Sequence, residues 1–309
     1  MPETIQSHLS GVGRSRLHFE DIDQRYHLKI RSFIRLCMTG VFITLEQECD
    51  LESLRAEGVI PIMFFLQFES EPRPLSFGGK VETPFQVRLC ESGDESATSG
   101  PDMKRLLLDM TIDVKAQEGM GDPQALGGGD RSSSLIHAGH MRGVHVLSRP
   151  LAPAEQRRIT KHPSQFKGVE LHRWDEPFPT VAGLHGAPEG FAETGAGPWQ
   201  EHRSVWGLQN TDINQHVNVH EYIVALENHF TRMLFGAGLP TAEHRIDRTS
   251  IIFRKPFFSG AAHGLRGRLF ISENRTVMLG GIHALDPEGG FDERVAVGVR
   301  MEGSFSHQA

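Results

Sequence analysis

The sequence of 309 residues predicts an α+β fold made of two similar halves. A motif of fourteen residues occurs twice in the chain, and each copy runs into an apolar stretch with helical periodicity. Each of these stretches is followed by several segments typical of β-strands. A helix followed by consecutive antiparallel strands is the plan of an α+β unit, and here the plan is repeated.

Composition excludes several classes of protein. Hydrophobic residues make up 38% of the chain and charged residues 23%, which is typical of a globular protein. No apolar run approaches the ~18 residues of a membrane span, and the first twenty residues lack the hydrophobic block of a secretory signal. The net charge of -7 offers no basic surface for nucleic acid. The three cysteines, Cys37, Cys49 and Cys90, have no CxxC spacing, which favours a reducing cytoplasm over a disulfide framework or a cysteine-based zinc module.

The repeated motif aligns residues 21–34 with residues 210–223 without gaps. The identical pairs are Asp23 with Asp212, His27 with His216, and Ile34 with Ile223. An aromatic residue also recurs, as Phe33 in the first copy and Tyr222 in the second. Because the helix and strands after each motif follow the same order, we interpret the repeat as a duplication.

Periodicity predicts helices over residues 33–45 and 222–234, which stop near Gly58 in the first half and near Gly236 and Gly238 in the second. Apolar segments predict four strands in each half: 60–68, 81–89, 106–114 and 144–147, then 248–253, 265–271, 277–285 and 295–305.

The middle of the chain fits neither half. Residues 119–134 are rich in Gly, Asp and Ser and predict a loop. Residues 153–161 predict a short helix, and residues 178–199, full of Gly and Pro, predict a crossing linker. We therefore expect an N-terminal unit over 1–148, a linker over 149–198 and a C-terminal unit over 199–309.

The second motif carries a family resemblance. Asp212-Ile-Asn214-Gln-His216-Val-Asn218, followed by Tyr222 and Glu227, resembles the Asp-x-Asn-x-His-Val-Asn signature of hotdog-fold acyl thioesterases. It is most similar to plant and bacterial acyl-acyl-carrier-protein thioesterases, whose chains hold two hotdog repeats, and it shares features with 4-hydroxybenzoyl-CoA thioesterases. The resemblance implies two tandem hotdog units, each a long helix wrapped by an antiparallel sheet, packed as a pseudo-dimer. It also implies a monomer or a homodimer of double hotdogs, with no cofactor and no metal.

The residues of the motif suit thioester chemistry. Hydrolysis of a thioester needs a base or nucleophile at the acyl carbon and donors aimed at the developing oxyanion. Asp212 can attack directly or activate water, Asn214 can hold the water or the carboxylate, and His216 can supply a proton or orient a partner. A loop before a helix also offers free backbone N–H groups. In the resembling enzymes the Asp, Asn and His at these positions belong to the catalytic set.

Structural roles remain open for the same residues. Asp or Asn before a helix is often a cap that contributes ~1 kcal/mol, and a His there can be a buried hydrogen-bonded residue. Asn218, Tyr222 and Glu227 are predicted as supporting residues of the site, although Glu227 on a helix face can equally be solvated. In the carrier-protein thioesterases a strand glutamate stands where this chain has Ser250, and Asp247 lies just upstream.

The first motif copy is altered. It keeps Asp23 and His27 but has Arg25 in place of Asn214 and Lys29 in place of Asn218. A guanidinium in contact with Asp23 would lower the pKa of that carboxyl and hold it as an ion pair, which makes a poor base. This copy is therefore either a second working site or a degenerate one that serves structure or substrate binding.

The predicted function is hydrolysis of an acyl thioester of acyl-carrier protein or CoA, in fatty-acid or polyketide biosynthesis. Two alternatives are a hotdog dehydratase or hydratase acting on a 3-hydroxyacyl or enoyl thioester, and a non-catalytic acyl-binding pathway protein. Weaker signals are set aside: His137 and His140 lack the pattern of a metal site, and Gly127-Gly-Gly129 lacks the lysine of a phosphate loop. No Gly-x-Ser-x-Gly elbow of a serine hydrolase occurs.

Overall fold

A computed structural model describes residues 6–93, 104–119, 134–195, 200–212 and 215–305 of the chain. The chain divides into two compact units. The first comprises Met1–Leu28, Arg35–Leu66 and Glu71–Phe178, and the second comprises Lys29–Ile34, Gln67–Ser70 and Pro179–Ala309. The linker expected over 149–198 stays a prediction.

In its described residues the N-terminal half holds two helices and six strands. The helices are α1 (Ser32–Glu48) and α2 (Leu51–Ala56). The strands are β1 (Leu9–Arg16), β2 (Ile60–Ser70), β3 (Lys80–Ser92), β4 (Arg105–Gln117), β5 (Leu135–Ser148) and β6 (Leu171–Arg173). They form an antiparallel sheet in the order β1-β3-β4-β5-β2, and β6 runs parallel to β3.

Residue patterns account for these elements. Strand β3 buries alternate side chains from Val81 onward, as a strand with one face on the core must. On α1 the fully buried Cys37, Val41 and Leu45 are four residues apart and form one apolar stripe. Gly40 of α1 allows close approach to β1, because a Cβ there would lie 2.9 Å from the Cα of Gly13.

The described part of the C-terminal half likewise holds two helices and six strands. The helices are α3 (Val181–Leu184) and α4 (Val219–Gly236). The strands are β7 (Ala192–Glu193), β8 (Glu201–Val205), β9 (His244–Phe253), β10 (Ala262–Ser272), β11 (Arg275–Leu285) and β12 (Phe291–Phe305). The long strands pair antiparallel in the order β9-β12-β11-β10, and both β7 and β8 pair with β10.

The two halves have the same strand order. In the first, β2 is followed in the sheet by β5, β4 and β3, and in the second, β9 is followed by β12, β11 and β10. Each set follows its own long helix in the chain. The predicted α+β duplication is therefore confirmed at the level of topology, although only three of the fourteen motif positions are identical.

The two long helices and the eight long strands are confirmed with longer bounds, whereas the short elements α3, β6, β7 and β8 were not predicted, and three further details differ. Helix α1 ends at Glu48, not near Gly58, because Asp50 adopts a left-handed φ of 40° and begins the separate helix α2. The helix expected over 153–161 is wrong in extent, since a single 3-10 turn forms at Ala154–Gln156, directly after Pro153. Strand β1 was not predicted because only Leu9 of its eight residues is buried. Most of the predicted loop 119–134, including Gly127 to Gly129, lies outside the described residues.

Candidate active site

The second motif forms a tight turn directly before α4. The Asp212 N–H donates to the His216 carbonyl at 2.8 Å, and the Gln215 N–H donates to the Asp212 carbonyl at 2.9 Å. Gln215 has a φ of 65°, which reverses the chain, and Thr211 pairs with Val217 across the base of the turn. The turn therefore brings residues 212 and 216 together at the start of the helix. Asn214 lies outside the described residues.

The turn is attached to both the helix and a neighbouring loop. Asn218 caps α4, because its side-chain oxygen accepts the His220 N–H at 2.8 Å. The Val217 N–H donates to the Phe257 carbonyl at 2.9 Å. His216 packs edge-on against Phe258, with ring centroids 5.1 Å apart, and Phe258 is 50% exposed. The predicted supporting residue Asn218 thus lies in the site region as a helix cap.

Asn210 is a site residue that the sequence did not reveal. Its side-chain oxygen accepts the Gly207 N–H at 2.8 Å, its amide nitrogen donates to Glu221 at 2.7 Å, and its carbonyl accepts the Asn218 N–H at 2.8 Å. One side chain therefore joins the segment before the turn to the first turn of α4. The alignment of the two motifs could have indicated this role. Asn210 aligns with Asp21, whose carboxylate accepts the His18 N–H at 2.6 Å in the first copy.

Tyr222 is buried behind the turn, at 3% exposure. Its hydroxyl oxygen accepts the Phe257 N–H at 3.0 Å, and its ring packs edge-on against Trp206. Burial raises the pKa of Tyr222 to about 12, with a smaller contribution from the negative charge of Asp212. The hydroxyl therefore stays protonated at neutral pH and can donate its proton in a second hydrogen bond.

Glu227 lies on the buried face of α4 and is 8% exposed. Its carboxylate is 3.1 Å from Nε of Arg31, which belongs with residues 29–34 to the second unit. Burial raises the pKa of Glu227, and the charges of Arg31 and Lys29 oppose that rise. The expectation of a solvated Glu227 is wrong, because the side chain turns inward against a cation.

The first motif forms the same turn. The Asp23 N–H donates to the His27 carbonyl at 2.9 Å, and the Tyr26 N–H donates to the Asp23 carbonyl at 3.0 Å. Tyr26 has a φ of 65°, matching Gln215 of the second copy. The predicted equivalence of Asp23 with Asp212 and of His27 with His216 therefore extends to the backbone.

The Asp23 carboxylate is bound by its own turn. One oxygen accepts the backbone N–H groups of Arg25 at 2.8 Å and His27 at 3.0 Å, and the other lies 3.5 Å from Nδ1 of His27. Burial acts to raise the pKa of Asp23, but hydrogen bonds from His27 and Arg25 outweigh it and lower that pKa. Among the described residues the Arg25 guanidinium forms no ion pair with Asp23, and Arg25 reaches the carboxylate through its main chain. Lys29, the cation that stands in place of Asn218, acts on Glu227.

The strand glutamate of the resembling enzymes has no counterpart in place. Ser250 pairs with Arg300 in the sheet, and Asp247 is bound to Arg245 in an ion pair. Burial raises the pKa of Asp247, and Arg245 opposes that rise. Asp247 is therefore held by its neighbour on the same strand.

Outside the turns, His140 lies 2.9 Å from Asp113 and His137 lies 3.7 Å from the same oxygen. Within the described part of the chain, no group of three or more His, Cys, Asp or Glu side chains has the arrangement of a metal site. Over the same residues, no helix combines the length and apolarity that crossing a membrane requires.

Comparison with solved structures reveals three full-length matches. A protein provisionally named oleoyl thioesterase from Lactobacillus plantarum matches with a TM-score of 0.62 at 11% identity, covering 96% of this chain and 97% of its own. An acyl-ACP thioesterase from Bacteroides thetaiotaomicron matches with a TM-score of 0.57 at 15% identity, covering 96% and 98%. The 12:0-ACP thioesterase from Umbellularia californica matches with a TM-score of 0.57 at 11% identity and the same coverage. This chain has the double-hotdog fold.

The double hotdog is thus shown by structure and not by sequence similarity. No protein-family model matches the chain, and no curated protein sequence matches it. The predicted fold class is confirmed over nearly the whole length of the double-hotdog structures. At such low identity the shared feature is the fold, so the chemistry must be argued from the residues of the site.

Proposed function

We propose that this double hotdog hydrolyses an acyl thioester at the second motif. The observation that carries the proposal is the turn that joins Asp212 to His216 at the capped start of α4. Main-chain hydrogen bonds thus hold the residues that carry a carboxylate and an imidazole beside the N-terminal end of a helix. These groups can act as a base, a proton donor and a stabiliser of negative charge.

The reaction can follow either of two balanced routes. In the first, Asp212 takes a proton from water while the water oxygen bonds to the acyl carbon, and the C–S bond then breaks as His216 protonates the departing thiolate. In the second, the Asp212 carboxylate bonds to the acyl carbon while the C–S bond breaks and His216 gives its proton to the departing thiolate. Water then hydrolyses the mixed anhydride, which frees the acid and the Asp212 carboxylate and returns a proton to His216. Asn214 orients the water in the first route and the carboxylate in the second. Both routes yield a free acid and a free thiol.

The surrounding residues support this site by holding it in place. Tyr222 ties α4 to the backbone of Phe257, whose carbonyl binds the turn at Val217. Asn218 caps the helix, and Asn210 joins the cap to the preceding segment. We assign a supporting role to Tyr222 and Asn218, and a structural role on the buried face of α4 to Glu227.

The substrate is an acyl group on acyl-carrier protein or CoA. The neighbours from Bacteroides thetaiotaomicron and Umbellularia californica are named as thioesterases of acyl-carrier-protein substrates, which supports a carrier-protein thioester. The protein acts in the cytoplasm, consistent with three buried, unpaired cysteines. It works as a monomer or as a homodimer of double hotdogs, which light scattering distinguishes.

Release of free thiol tests the proposal. Wild-type protein is incubated with a panel of acyl-CoA and acyl-carrier-protein substrates of several chain lengths, and thiol is measured with a chromogenic disulfide. Thiol release that depends on Asp212 supports hydrolysis. An enoyl absorbance without thiol release would instead identify a dehydratase and overturn the proposal.

One observation favours a second candidate, a non-catalytic acyl-binding protein. Ser250 stands at the strand position of the glutamate, and the nearby Asp247 is bound to Arg245. Binding of acyl substrates without release of thiol or formation of an enoyl product would establish this alternative. Measurable turnover lost in Asp212→Asn would exclude it.

A further inference from the structure

A cavity of about 320 Å³ lies in the first unit, next to the residue that follows α2. Its polar walls are formed by Glu57, Arg149, Arg158, Thr160, Lys161 and His162. Cavities that bind small molecules range from about 300 to 1,000 Å³. This cavity is therefore large enough for a compact ligand, and none of the residues assigned to the hydrolytic site lines it.

The cavity has a positive charge in a chain that is negative overall. Arg149, Arg158 and Lys161 are three cations against the single carboxylate of Glu57, so the lining carries a net charge of +2 with His162 neutral. The whole chain carries -7. Such a local excess of cations favours an anionic ligand.

The one carboxylate in the lining is already engaged. Glu57 accepts the Gln165 amide at 2.7 Å, and its other oxygen lies 4.0 Å from Arg149. Lys161 is exposed and forms no ion pair with any residue in the described part of the chain. No ion pair within that part of the chain therefore neutralises the charge of Lys161.

The walls of the cavity are held in position. Arg149 donates to the Glu57 carbonyl at 3.1 Å, which fixes the base of its guanidinium. The two ring nitrogens of His162 lie 3.0 Å and 3.2 Å from the carbonyls of Pro163 and Val169. The segment that carries Lys161 is thus anchored on its C-terminal side.

Arg158 also interacts electrostatically with a second guanidinium, that of Arg105. The pKa of Arg105 is lowered by burial and by the charge of Arg158. Repulsion between these two guanidinium groups would fall if an anion bound to Arg158. A bound anion would therefore be favoured by relief of this repulsion as well as by direct attraction.

We propose that this cavity binds a small molecule bearing a phosphate or diphosphate group. Phosphate monoesters carry about −1.5 to −2 charges at pH 7, which matches the excess of the lining. Guanidinium groups bind phosphate oxygens through two parallel N–H donors, and an ammonium adds a point charge. The hydroxyl of Thr160 supplies a further donor at the same wall.

Calorimetric titration of the full chain tests this proposal, in phosphate-free buffer at low ionic strength. The probes are inorganic pyrophosphate and adenosine 3′,5′-bisphosphate. We expect binding at one site, weakened by added salt because exposed charges are screened. Lys161→Gln and Arg158→Gln should each weaken binding about tenfold, the loss expected for one charge-assisted hydrogen bond. Equal affinity for both probes would indicate recognition of the phosphates alone, and tighter binding of the bisphosphate would indicate a nucleoside as well.

Arg173→Gln is the matched control, since it removes one positive charge from a side chain that is 87% exposed and outside the cavity lining. Its affinity for both probes should equal that of wild type. Absence of binding by either probe would overturn the proposal, as would an equal loss in all three variants. Melting temperatures identify any misfolded variant, and the exposed Lys161→Gln decides the outcome if Arg158→Gln does not fold. The titration needs no turnover, so its result is independent of the hydrolase proposal.

Discussion

The turns of the two motif copies have the same main-chain hydrogen bonds but different surroundings. Both turns use the same pair of main-chain hydrogen bonds and the same left-handed residue, at Tyr26 and Gln215. In the first copy the Asp23 carboxylate accepts two N–H groups from its own turn. In the second, the charge of Asp212 acts on the buried hydroxyl of Tyr222, where the first copy has the apolar Phe33 packed on Phe68. Equal turns therefore need not have equal chemistry.

The positively charged residues of the first copy also interact with different groups from those that their sequence positions indicate. Arg25 contributes a backbone N–H to Asp23, whereas Arg31 and Lys29 act on Glu227 of α4. Lys29, Arg31 and Glu227 all belong to the second unit. Two charged residues of the first copy, Lys29 and Arg31, therefore act on the helix that follows the second copy.

The largest expected effect separates the two aspartates. Asp212→Asn should lower kcat by ~10³-fold or more, the scale of a core catalytic group. Asp23→Asn should keep near-normal kcat, because the first copy has Arg25 and Lys29 where the second has Asn214 and Asn218. Steady-state kinetics on the best thioester, with melting curves for both variants, provides the measurement. An inactive Asp23→Asn beside an active Asp212→Asn would invert the comparison.

Next in size is the effect of Arg31. Arg31→Gln should lower the free energy of unfolding by about 2 kcal/mol at pH 7, because it removes the ion-pair partner of the buried Glu227. The Arg31 side chain is 39% exposed, so the effect is smaller than that of breaking a fully buried pair. Arg25→Gln should change it by no more than about 0.5 kcal/mol. Urea unfolding of both variants measures the difference.

The pH dependence of the Arg31 effect follows from Glu227. The pKa of Glu227 is raised in the folded state. The stability linked to this group is therefore fully present below the ordinary carboxyl pKa and is lost as pH rises through the folded-state pKa. Loss of Arg31 raises that pKa further, so the destabilisation should be largest at neutral pH and shrink in acid. A constant difference between pH 4 and pH 7 would contradict the assigned pair.

A smaller effect is expected from replacing Asn210, which joins the segment before the turn to the first turn of α4. Asn210→Asp introduces the type of side chain that the first copy has at Asp21, but here it faces Glu221 at hydrogen-bond distance. Repulsion should shift the turn and lower kcat about tenfold with little change in KM, as expected for misplacement of catalytic groups. Glu221→Gln in the same chain should restore kcat, because the amide can donate to the new carboxylate. If the double variant stayed as slow as Asn210→Asp, Asn210 would not act as a positioning residue.

The smallest effect concerns the stability contributed by Asp23. Its folded-state pKa is lowered, so its contribution is present above the ordinary carboxyl pKa, near 4, and is lost as pH falls through the folded value. Asp23→Asn should therefore cost about 1 kcal/mol at pH 7 and progressively less below pH 4. Thermal unfolding of wild type and variant across this range makes the comparison, and a gap that widened in acid would contradict the assigned hydrogen bonds.

Much of the fold was readable from local patterns. Periodic apolar residues located α1, α4 and eight long strands, and the recurrence of Asp and His at matching positions revealed the duplication. These features depend on spacing along the chain, which secondary structure converts directly into a buried face. Strand β1 was missed for the same reason, since seven of its eight residues stay partly or fully exposed and leave no buried pattern.

The candidate site was readable only in part. Asp212 and His216 stand in a recognisable motif, and a left-handed residue in the turn brings them together. Whether a charged side chain faces its own turn or a distant helix depends on contacts between segments remote in sequence. Arg25 and Arg31 are six positions apart and alike in chemistry, yet only the tertiary structure decided that Arg31 pairs with Glu227. Burial of that glutamate on α4 is the physical reason, because a carboxylate removed from water requires a nearby cation.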